Sequence, residues 1–516
     1  MRYKKAAHSS HASMERIFAT YLIETPLSVE QAAASLAGEQ SSGTFVAVPG
    51  ETEELKQRFA ARVEKITPLE TVSEPSLPGN VVGRVTPCAP SRAPAAGRGL
   101  SRPTFQRAEI VVSWPVENFG FNLPALVSTI QGNLYELSQF SGLKLMDLEL
   151  PPSFAGHFRG PKFGIAGTRK LAGVGVPVGV QASACAPSGG SADKLKLELQ
   201  RPLIGTIIKP SIGLTPQQTA ELVKVLAEAE IDFIKDDELM ADPPHSPFDE
   251  RVDAIMRVIN DHAHRTGKKV MYAFNISDEM DAMQRHYDKI VKSGGTCAMI
   301  SLNSVGLAGA KKICDLGALA IHGHRNGWGM LNRHPLLGIE FPAYQKIWRL
   351  AGVDQLHVNG IANKFWESDD SVVRSIEACL KPLFANSSLS LRGTSGERAG
   401  ERGNFKRTAS SPQSSPPLGE ERETDLQREQ ANDFSVLPVV SSGQWGGQAP
   451  ETFRRTQTVD LLYLAGGGIM AHPDGAAAGV RSLQKWWEAA VAGLTMEQAA
   501  AKYPELKKSV EKFGKK

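Results

Sequence analysis

The sequence predicts an α/β fold in which a (β/α)8 TIM barrel follows a smaller α+β domain. Eight short apolar runs, each followed by a helical pattern, fill residues 203–494, and this regular alternation favours a closed barrel. An open doubly wound sheet is the alternative, but such a sheet rarely has eight evenly spaced units. Nearly every predicted barrel strand also ends at a polar residue or a glycine, where active sites of such barrels lie.

The composition bounds the classes of function. The chain has 516 residues, and its net charge of +3 comes from mixed charges, so we expect neither a nucleic acid nor a membrane surface as partner. The sequence contains no run of 18 apolar residues, so we expect no membrane span. The basic residues 1–13 are not followed by an apolar segment, so we expect a disordered extension instead of a signal peptide. The five cysteines lack CxxC spacing, which is typical of reduced thiols in the cytoplasm.

Residues 14–160 form the first predicted domain, a ferredoxin-like α+β fold. Alternating apolar residues indicate strands and 3.6-residue periodicity indicates helices. The strands are predicted at 15–24, 41–48, 108–115 and 142–151, and the helices at 27–40, 52–66 and 122–137.

Three polar segments interrupt the predicted domains. Residues 68–107, 173–200 and 385–434 are rich in Pro, Ser, Gly and charged residues and show no apolar periodicity, so we interpret them as loops or disordered inserts. The third insert separates the sixth barrel helix from the seventh strand. Such a connection lies on the face away from the chemistry, and we expect it to be tolerated without a functional role.

The barrel occupies residues 161–516, with helices at its C-terminal end. Its eight predicted strands each precede a helix or a helix-like segment. The strands are predicted at 203–210, 232–238, 268–277, 297–304, 318–326, 355–360, 436–443 and 461–468.

The segment Ile231–Met240 carries the densest charge. Lys235, Asp236, Asp237 and Glu238 follow an apolar lead, at the end of the second predicted strand. Such a cluster alone is usually a solvated turn. Because hard cations such as Mg²⁺ prefer oxygen ligands, its position at a strand end favours a metal site.

The other strand ends complete a polar rim. A lone HxH pair or a lone run of glycines is more often structural, but the placement of these residues around one rim favours function, and glycine-rich ends after strands seven and eight match the phosphate site common in such barrels. The rim residues are Lys209, Asn303, His322, His324, Arg325, His357, Asn359, Lys364, Ser441–Gly443 and Gly466–Gly468.

These residues resemble those of the ribulose-bisphosphate carboxylase large subunit (RuBisCO) family. The resemblance covers both predicted domains and excludes the inserts. It rests on the segments GTIIKP (205–210), DFIKDDE (232–238), IHGHR (321–325), QLHVNGIANK (355–364), PVVSSG (438–443) and AGGGIMAHP (465–473).

The resemblance implies a Mg²⁺ site. It implies that Lys235 binds CO₂ as a carbamate and holds the metal together with Asp237 and Glu238, so that the metal polarises a carbonyl and stabilises an enediolate. It implies that Lys209 is the acid/base lysine and that His324 is a polar partner beside the metal.

The resemblance also implies two phosphate sites shared between two chains. Arg325, His357 and Ser441 resemble one site, and Gly443, Gly466 and Gly467 resemble the other, with Lys364 closing over it. Glu39, Thr44 and Asn133 resemble residues that reach the partner subunit's barrel, which implies a homodimer or a larger assembly.

Four departures from the carboxylase pattern narrow the function. The second lysine of KPK is Ser211, an N-terminal Trp is Phe45, a His is Trp328 and a Gly is Ser442. Such changes resemble the RuBisCO-like proteins (form IV), which keep enolising chemistry without productive CO₂ fixation.

Within form IV the intact Lys364 differs from the methionine-salvage enolases and resembles the branch with 3-oxo-isoapionate 4-phosphate decarboxylases. The expected activity is a Mg²⁺-dependent lyase that decarboxylates a phosphorylated 3-oxo sugar acid through an enediolate. The alternatives are a true carboxylase, which Ser211 disfavours, a methionine-salvage enolase or isomerase, which Lys364 disfavours, and a non-catalytic barrel, which the intact Lys235, Asp237 and Glu238 disfavour.

Overall fold

The computed structural model describes residues 15–42, 50–77, 104–174, 201–384 and 434–514. Its strands form two sheets, a five-stranded sheet and a closed eight-stranded barrel. The strands are β1 Arg16–Thr25, β2 Arg62–Val72, β3 Phe105–Pro115, β4 Gly142–Glu149, β5 Leu203–Ile207, β6 Phe233–Lys235, β7 Met271–Asn275, β8 Cys297–Ser301, β9 Ala320–His324, β10 Leu337–Ile339, β11 Gln355–His357, β12 Leu437–Val440 and β13 Leu462–Leu464.

The helices surround the barrel and cover one face of the smaller sheet. They are α1 Val29–Glu39, α2 Glu53–Phe59, α3 Leu123–Ile130, α4 Pro152–Ala155, α5 Gly164–Leu171, α6 Pro216–Glu228, α7 Phe248–Thr266, α8 Met280–Lys292, α9 Leu302–Val305, α10 Leu307–Cys314, α11 Trp328–Asn332, α12 Phe341–Ala351, α13 Asp369–Leu380, α14 Ala449–Thr456, α15 Gly466–Met470, α16 Ala476–Val491, α17 Met496–Lys502 and α18 Lys507–Phe513.

The predicted barrel is confirmed. Its strands run in the order β11-β12-β13-β5-β6-β7-β8-β9 and are all parallel. Local signals set the helix ends: α6 starts with a capping box between Thr215 and Gln218, and α7 ends at Gly267, whose φ of 77° suits glycine. Because all strands are parallel, their carboxyl ends meet at one rim.

The N-terminal sheet has the order expected of a ferredoxin-like fold. Its four own strands lie in the order β4-β1-β3-β2, and β1 pairs antiparallel with both β3 and β4. The short strand β10, which the sequence did not predict, extends this sheet by pairing parallel with β4. Lys144 on β4 lies 2.7 Å from the carboxylate of Glu340 and thereby joins this sheet to the barrel half of the chain.

Three expectations for the N-terminal domain need correction. The helix predicted at 52–66 ends at Phe59, and residues from Arg62 form β2 because their β-branched side chains pair with β3. The first insert is therefore shorter than the predicted 68–107, since β2 reaches Val72 and β3 starts at Phe105. The helix predicted at 122–137 ends at Ile130, and a 3₁₀ turn follows at Gly132–Glu136.

Other expectations fall largely outside the described residues. These are the extension 1–13, most of the strand 41–48, and the larger part of each insert. In the described part of the chain, no helix combines the length and the apolar character that crossing a bilayer requires.

Candidate active site

The charged cluster after β6 separates into a structural carboxylate and two rim carboxylates. Asp236 is buried, and its carboxylate accepts hydrogen bonds from the hydroxyl of Tyr272 at 2.6 Å and from the backbone N–H of Asn275 at 3.0 Å, with Arg251 at 3.4 Å. Asp237 and Glu238 instead lie beside rim residues. Asp236 therefore holds the strand end in place, and its two neighbours remain for chemistry.

Lys235 is the fully buried member of this cluster. Its Nζ donates to the backbone carbonyl of Asp236 at 2.8 Å and lies 3.7 Å from Oε2 of Glu238. Burial lowers the pKa of Lys235, and the carboxylates of Glu238, Asp237 and Asp236 oppose that shift without cancelling it. The neutral amine is the form that reacts with CO₂, and the lowered pKa makes this form more populated here than at an exposed lysine.

Lys209 faces the cluster from the neighbouring strand. It follows β5, and its Nζ donates to Oδ2 of Asp237 and to the hydroxyl of Ser211, both at 2.6 Å. Burial alone would raise the pKa of Asp237. The hydrogen bond and charge of Lys209, together with the charge of Lys235, outweigh burial and lower that pKa. The side chain of Lys209 is 38% exposed, so its ammonium group can reach a molecule held at the rim.

The histidines at the ends of β9 and β11 contact one another. The ring of His324 lies 4.4 Å from that of His357, and its Nε2 lies 3.6 Å from Oε2 of Glu238. His322 Nε2 lies 2.8 Å from His357 Nε2. Burial, with the nearby Lys235, lowers the pKa of His322 to about 3 and that of His324 well below its usual value. These rings are neutral and act as hydrogen-bonding groups.

Arg325, which follows β9, is buried against an acidic side chain. Its Nη2 donates to Oε2 of Glu367 at 2.8 Å, and its guanidinium lies 5.0 Å from the ring centres of Trp328 and Phe341. Glu367 is 4% exposed and also accepts from Asn359. The sequence reasoning missed Glu367, which lies three positions beyond Lys364 in the same loop.

The predicted glycine site lies beside both rim lysines. The backbone N–H of Lys364 donates to the carbonyl of Ser442 at 3.1 Å, and a Cβ added at Gly443 would lie 3.4 Å from Cβ of Lys364. A Cβ added at Gly466 would lie 3.9 Å from Cε of Lys209, whereas one added at Gly467 would meet open space. The structure thus brings Lys209, Lys364 and the glycine loops together around accessible backbone.

Two of the N-terminal site residues, Glu39 and Asn133, belong to segments that contact each other. Glu39 ends α1, and Asn133 is exposed in the 3₁₀ turn Gly132–Glu136. The side chain of Gln40 packs on Gly132, so the segments carrying Glu39 and Asn133 are adjacent. No hydrogen bond or ion pair among the described residues joins either one to the barrel rim. Thr44 lies outside the described residues.

The rim residues fit the expected metal site only if Lys235 contributes a ligand. In the described part of the chain, no group of three His, Cys, Asp or Glu side chains is placed to hold a metal ion. Asp237 and Glu238 supply two carboxylates, and Lys235 lies within 3.7 Å of Glu238. A carbamate on Lys235 would provide the third oxygen ligand, which is the kind that Mg²⁺ prefers.

A second residue that the sequence reasoning missed is Gln355 at the start of β11. Residues two apart on a strand face the same side, so Gln355 shares the interior face with His357. Its Oε1 lies 2.8 Å from Nδ1 of His322. The alternation of the strand could have identified it.

Two family models match the chain. The model described as ribulose bisphosphate carboxylase large chain, catalytic domain, matches residues 191–389 and 424–513. The model described as the N-terminal domain of the same large chain matches residues 7–76 and 99–154.

Similar proteins cover nearly the whole chain. A 3-oxo-isoapionate-4-phosphate transcarboxylase/hydrolase of Xanthobacter autotrophicus is 45% identical, over 96% of this chain and 99% of its own. A 3-oxo-isoapionate-4-phosphate decarboxylase of Rhizobium etli is 42% identical, over 96% and 98%. The crystal structure of a rubisco-like protein from Burkholderia fungorum is 38% identical, covers 96% of this chain and 99% of its own, and superposes with a TM-score of 0.74.

Proposed function

This chain belongs to the ribulose bisphosphate carboxylase large-chain family, and we propose that it is a Mg²⁺-dependent carbon–carbon lyase that decarboxylates a phosphorylated 3-oxo sugar acid. The observation that carries the proposal is the buried Lys235 beside Asp237 and Glu238, with Lys209 facing them from β5. The two relatives described above, at 45% and 42% identity, are named for reactions of 3-oxo-isoapionate 4-phosphate.

The proposed metal site uses three residues of one strand end. Asp237, Glu238 and a carbamate formed from CO₂ on Lys235 would hold Mg²⁺, which when bound supplies a positive charge that polarises the substrate's keto group. The lowered pKa of Lys235 supports the carbamate, because only the neutral amine adds to CO₂.

Lys209 has the proton-transfer role in this proposal. Loss of CO₂ from a 3-oxo acid leaves the bonding electron pair on the carbon beside the ketone, as an enolate, and that carbon must then take up a proton. Lys209 donates to Asp237 and Ser211, which orient its ammonium at the rim. The neutral His324 donates or accepts a hydrogen bond there without adding charge.

The phosphate of the substrate is assigned to the glycine loops. Gly443, Gly466 and Gly467 offer backbone N–H groups, and Lys364 and Lys209 supply positive charge beside them. We assign Lys364 the role of closing over the bound phosphate because it is exposed in the loop after β11.

We also propose a homodimer or a larger assembly with shared sites. Glu39 and Asn133 lie on adjacent segments, and no hydrogen bond or ion pair among the described residues joins them to the rim of their own barrel. This supports the expectation that they, with Thr44, complete the partner subunit's site. The buried free cysteines Cys297 and Cys379 support a cytoplasmic setting.

The test is to follow a ¹³C-carboxyl-labelled 3-oxo sugar acid 4-phosphate by NMR with Mg²⁺ and bicarbonate. We expect labelled CO₂ to be released with one solvent proton retained in the ketone product, and no release after chelation of Mg²⁺. Ribulose 1,5-bisphosphate with ¹⁴CO₂ serves as the control and should give no acid-stable label. Robust incorporation there would make the carboxylase the correct function.

A second function is favoured by the relative that is 45% identical, because it is named a transcarboxylase/hydrolase. In that reaction the carboxyl carbon remains in an organic product, whereas decarboxylation releases it as CO₂. The same labelled substrate separates the two, since the label then appears either in a second acid or in dissolved CO₂.

A further inference from the structure

The part of the rim formed by Arg325, His357 and Ser441, here called the Arg325 pole, resembles a phosphate site, but its histidine and serine donors are already committed. A phosphate dianion has only acceptor oxygens and needs free donors. The direction of each hydrogen bond at this pole therefore decides what it can hold.

The amide of Gln355 fixes the first direction. Its Nε2 lies 3.4 Å from Sδ of Met271 and 3.9 Å from Sγ of Cys297. The thioether has no proton, and the Cys297 thiol is directed at the carbonyl of Ala298 at 3.9 Å, so both sulfurs act as acceptors toward this nitrogen. The oxygen of Gln355 therefore faces Nδ1 of His322, which must carry the proton.

The remaining directions follow along a buried chain. A neutral imidazole has one N–H, so the Nε2 of His322 accepts, and the Nε2–H of His357 donates to it at 2.8 Å. The Nδ1 of His357 is then an acceptor, and it receives the hydroxyl proton of Ser441 at 3.1 Å. Neither the N–H of His357 nor the O–H of Ser441 is free for a ligand.

Glu367 pairs with the positive charge of Arg325 at the same pole. Its buried carboxylate balances the charge of Arg325 through the 2.8 Å contact, and it also accepts from Asn359 at 2.5 Å. The hydroxyl of Ser442 donates to Oδ1 of Asn359 at 2.6 Å. Nη1 of Arg325 is buried without a partner among the described residues. The pole thus offers the two N–H groups of Arg325 Nη1 and free lone pairs on Ser441, at no net formal charge.

We propose that the Arg325 pole receives an uncharged, hydroxyl-bearing end of the substrate, and that Gln355 and Glu367 determine this specificity. A hydroxyl oxygen accepts from Nη1 of Arg325, and its proton matches the lone pairs of Ser441. A phosphate would face the carboxylate of Glu367 with free donors from Arg325 alone, because those of His357 and Ser441 are committed. This inference rests on the proposed function, since it states which end of a phosphorylated sugar acid carries the single phosphate.

The first test uses the native enzyme with Mg²⁺ and bicarbonate. Calorimetry compares ribitol 5-phosphate with ribitol 1,5-bisphosphate, which differ by the second phosphate. We expect the bisphosphate to bind no more than about threefold more tightly, because the second phosphate finds no matched site. A larger preference would overturn the proposal, as would a failure of the monophosphate to bind.

The second test changes Glu367, one of the two proposed determinants. Glu367→Gln removes the opposing charge, and we expect the affinity ratio to shift about tenfold toward the bisphosphate. Asp370→Asn is the matched control, because Asp370 is an exposed carboxylate in the next helix that pairs with Arg455, and it should leave the ratio unchanged. An unchanged ratio in Glu367→Gln would remove Glu367 from the proposal.

The histidine chain has a direct spectroscopic readout. In native protein with ¹⁵N-labelled histidine, the His357 signals, identified by their loss in His357→Asn, should show a protonated Nε2 and a bare Nδ1. The reverse tautomer would refute the role of Gln355. Since neither binding nor tautomer state requires turnover, these results stand apart from the decarboxylation assay, and failure of that assay alone would count only against the proposed function.

Discussion

The two ends of the barrel both carry buried charges, but they differ in how completely those charges are paired. At the amino end, Asp232 precedes β6 and accepts from Arg201, from Lys268 at 2.8 Å and from the backbone N–H of Ile204 at 2.9 Å. At the carboxyl end, the carboxylate oxygen nearest to Nζ of Lys235 among the described residues is Oε2 of Glu238, at 3.7 Å. Only three positions separate Asp232 and Lys235, which bound the same strand.

This difference separates stability from chemistry. Burial would raise the pKa of Asp232, but the charges and hydrogen bonds of Arg201 and Lys268 outweigh it and the pKa lies below its usual value. At Lys235 burial wins over the nearby carboxylates, and the pKa is lowered. A fully paired group contributes stability, whereas an incompletely paired one is available to a ligand.

The largest effect should come from Lys235→Ala. It removes the proposed carbamate, and we expect the turnover number to fall by about a thousandfold or more, since several kcal/mol of transition-state stabilisation are lost. Mg²⁺ binding, measured by calorimetry with bicarbonate, should also be lost. Lys268→Ala, at the other end of the barrel, is the control that should retain Mg²⁺ binding. Full Mg²⁺-dependent activity in Lys235→Ala would disprove the carbamate assignment.

The second largest effect should be on stability, from Asp232→Asn. Arg201 and Lys268 would lose their buried partner, and we expect the free energy of unfolding to fall by about 3–5 kcal/mol with little change in turnover number. Because the folded pKa of Asp232 lies below its unfolded value, this difference should be fully present above about pH 4 and diminish as the pH falls further. Denaturant titrations at several pH values measure it, and a loss confined to activity would contradict the comparison.

Ser211→Lys should have an intermediate effect at the carboxyl end. The new ammonium group would replace the hydroxyl that accepts from Lys209, and its like charge would repel the ammonium group of Lys209 and disfavour the charged form of the pair. We expect about a tenfold loss of decarboxylation and a shift of the pH–rate profile toward lower pH. Ser211→Ala removes the acceptor without adding charge, so a profile shift in that variant would show that charge is not the cause.

The smallest effect should come from deleting residues 386–433. The rings of Phe384 and Phe434, which flank this segment, have centroids 5.7 Å apart, so a linker of a few residues can rejoin the chain. Loop-closure entropy changes slowly with loop length, and we expect a stability change within about 1 kcal/mol and unaltered turnover. A large drop in melting temperature would show that the insert packs on the barrel.

The barrel and its polar rim could be predicted from local information. Strand and helix periodicities repeat eight times, and in parallel strands the residue after each strand reaches the common rim. Lys209, Lys235, His324, Arg325 and His357 could therefore be placed together without coordinates. The limits of β2 could not, because residues 60–66 carry an ambiguous pattern that pairing with β3 resolves.

The tertiary structure decided which charges are free and which are committed. The sequence places Asp236, Asp237 and Glu238 side by side, but only the contacts of Asp236 with Tyr272 and Asn275 remove it from the rim. The pairing of Arg325 with Glu367 joins residues 42 positions apart, and the sulfurs that orient Gln355 come from two other strands. Residue identity and spacing fixed where the polar groups gather, whereas the direction of each hydrogen bond depends on partners that only packing brings within reach.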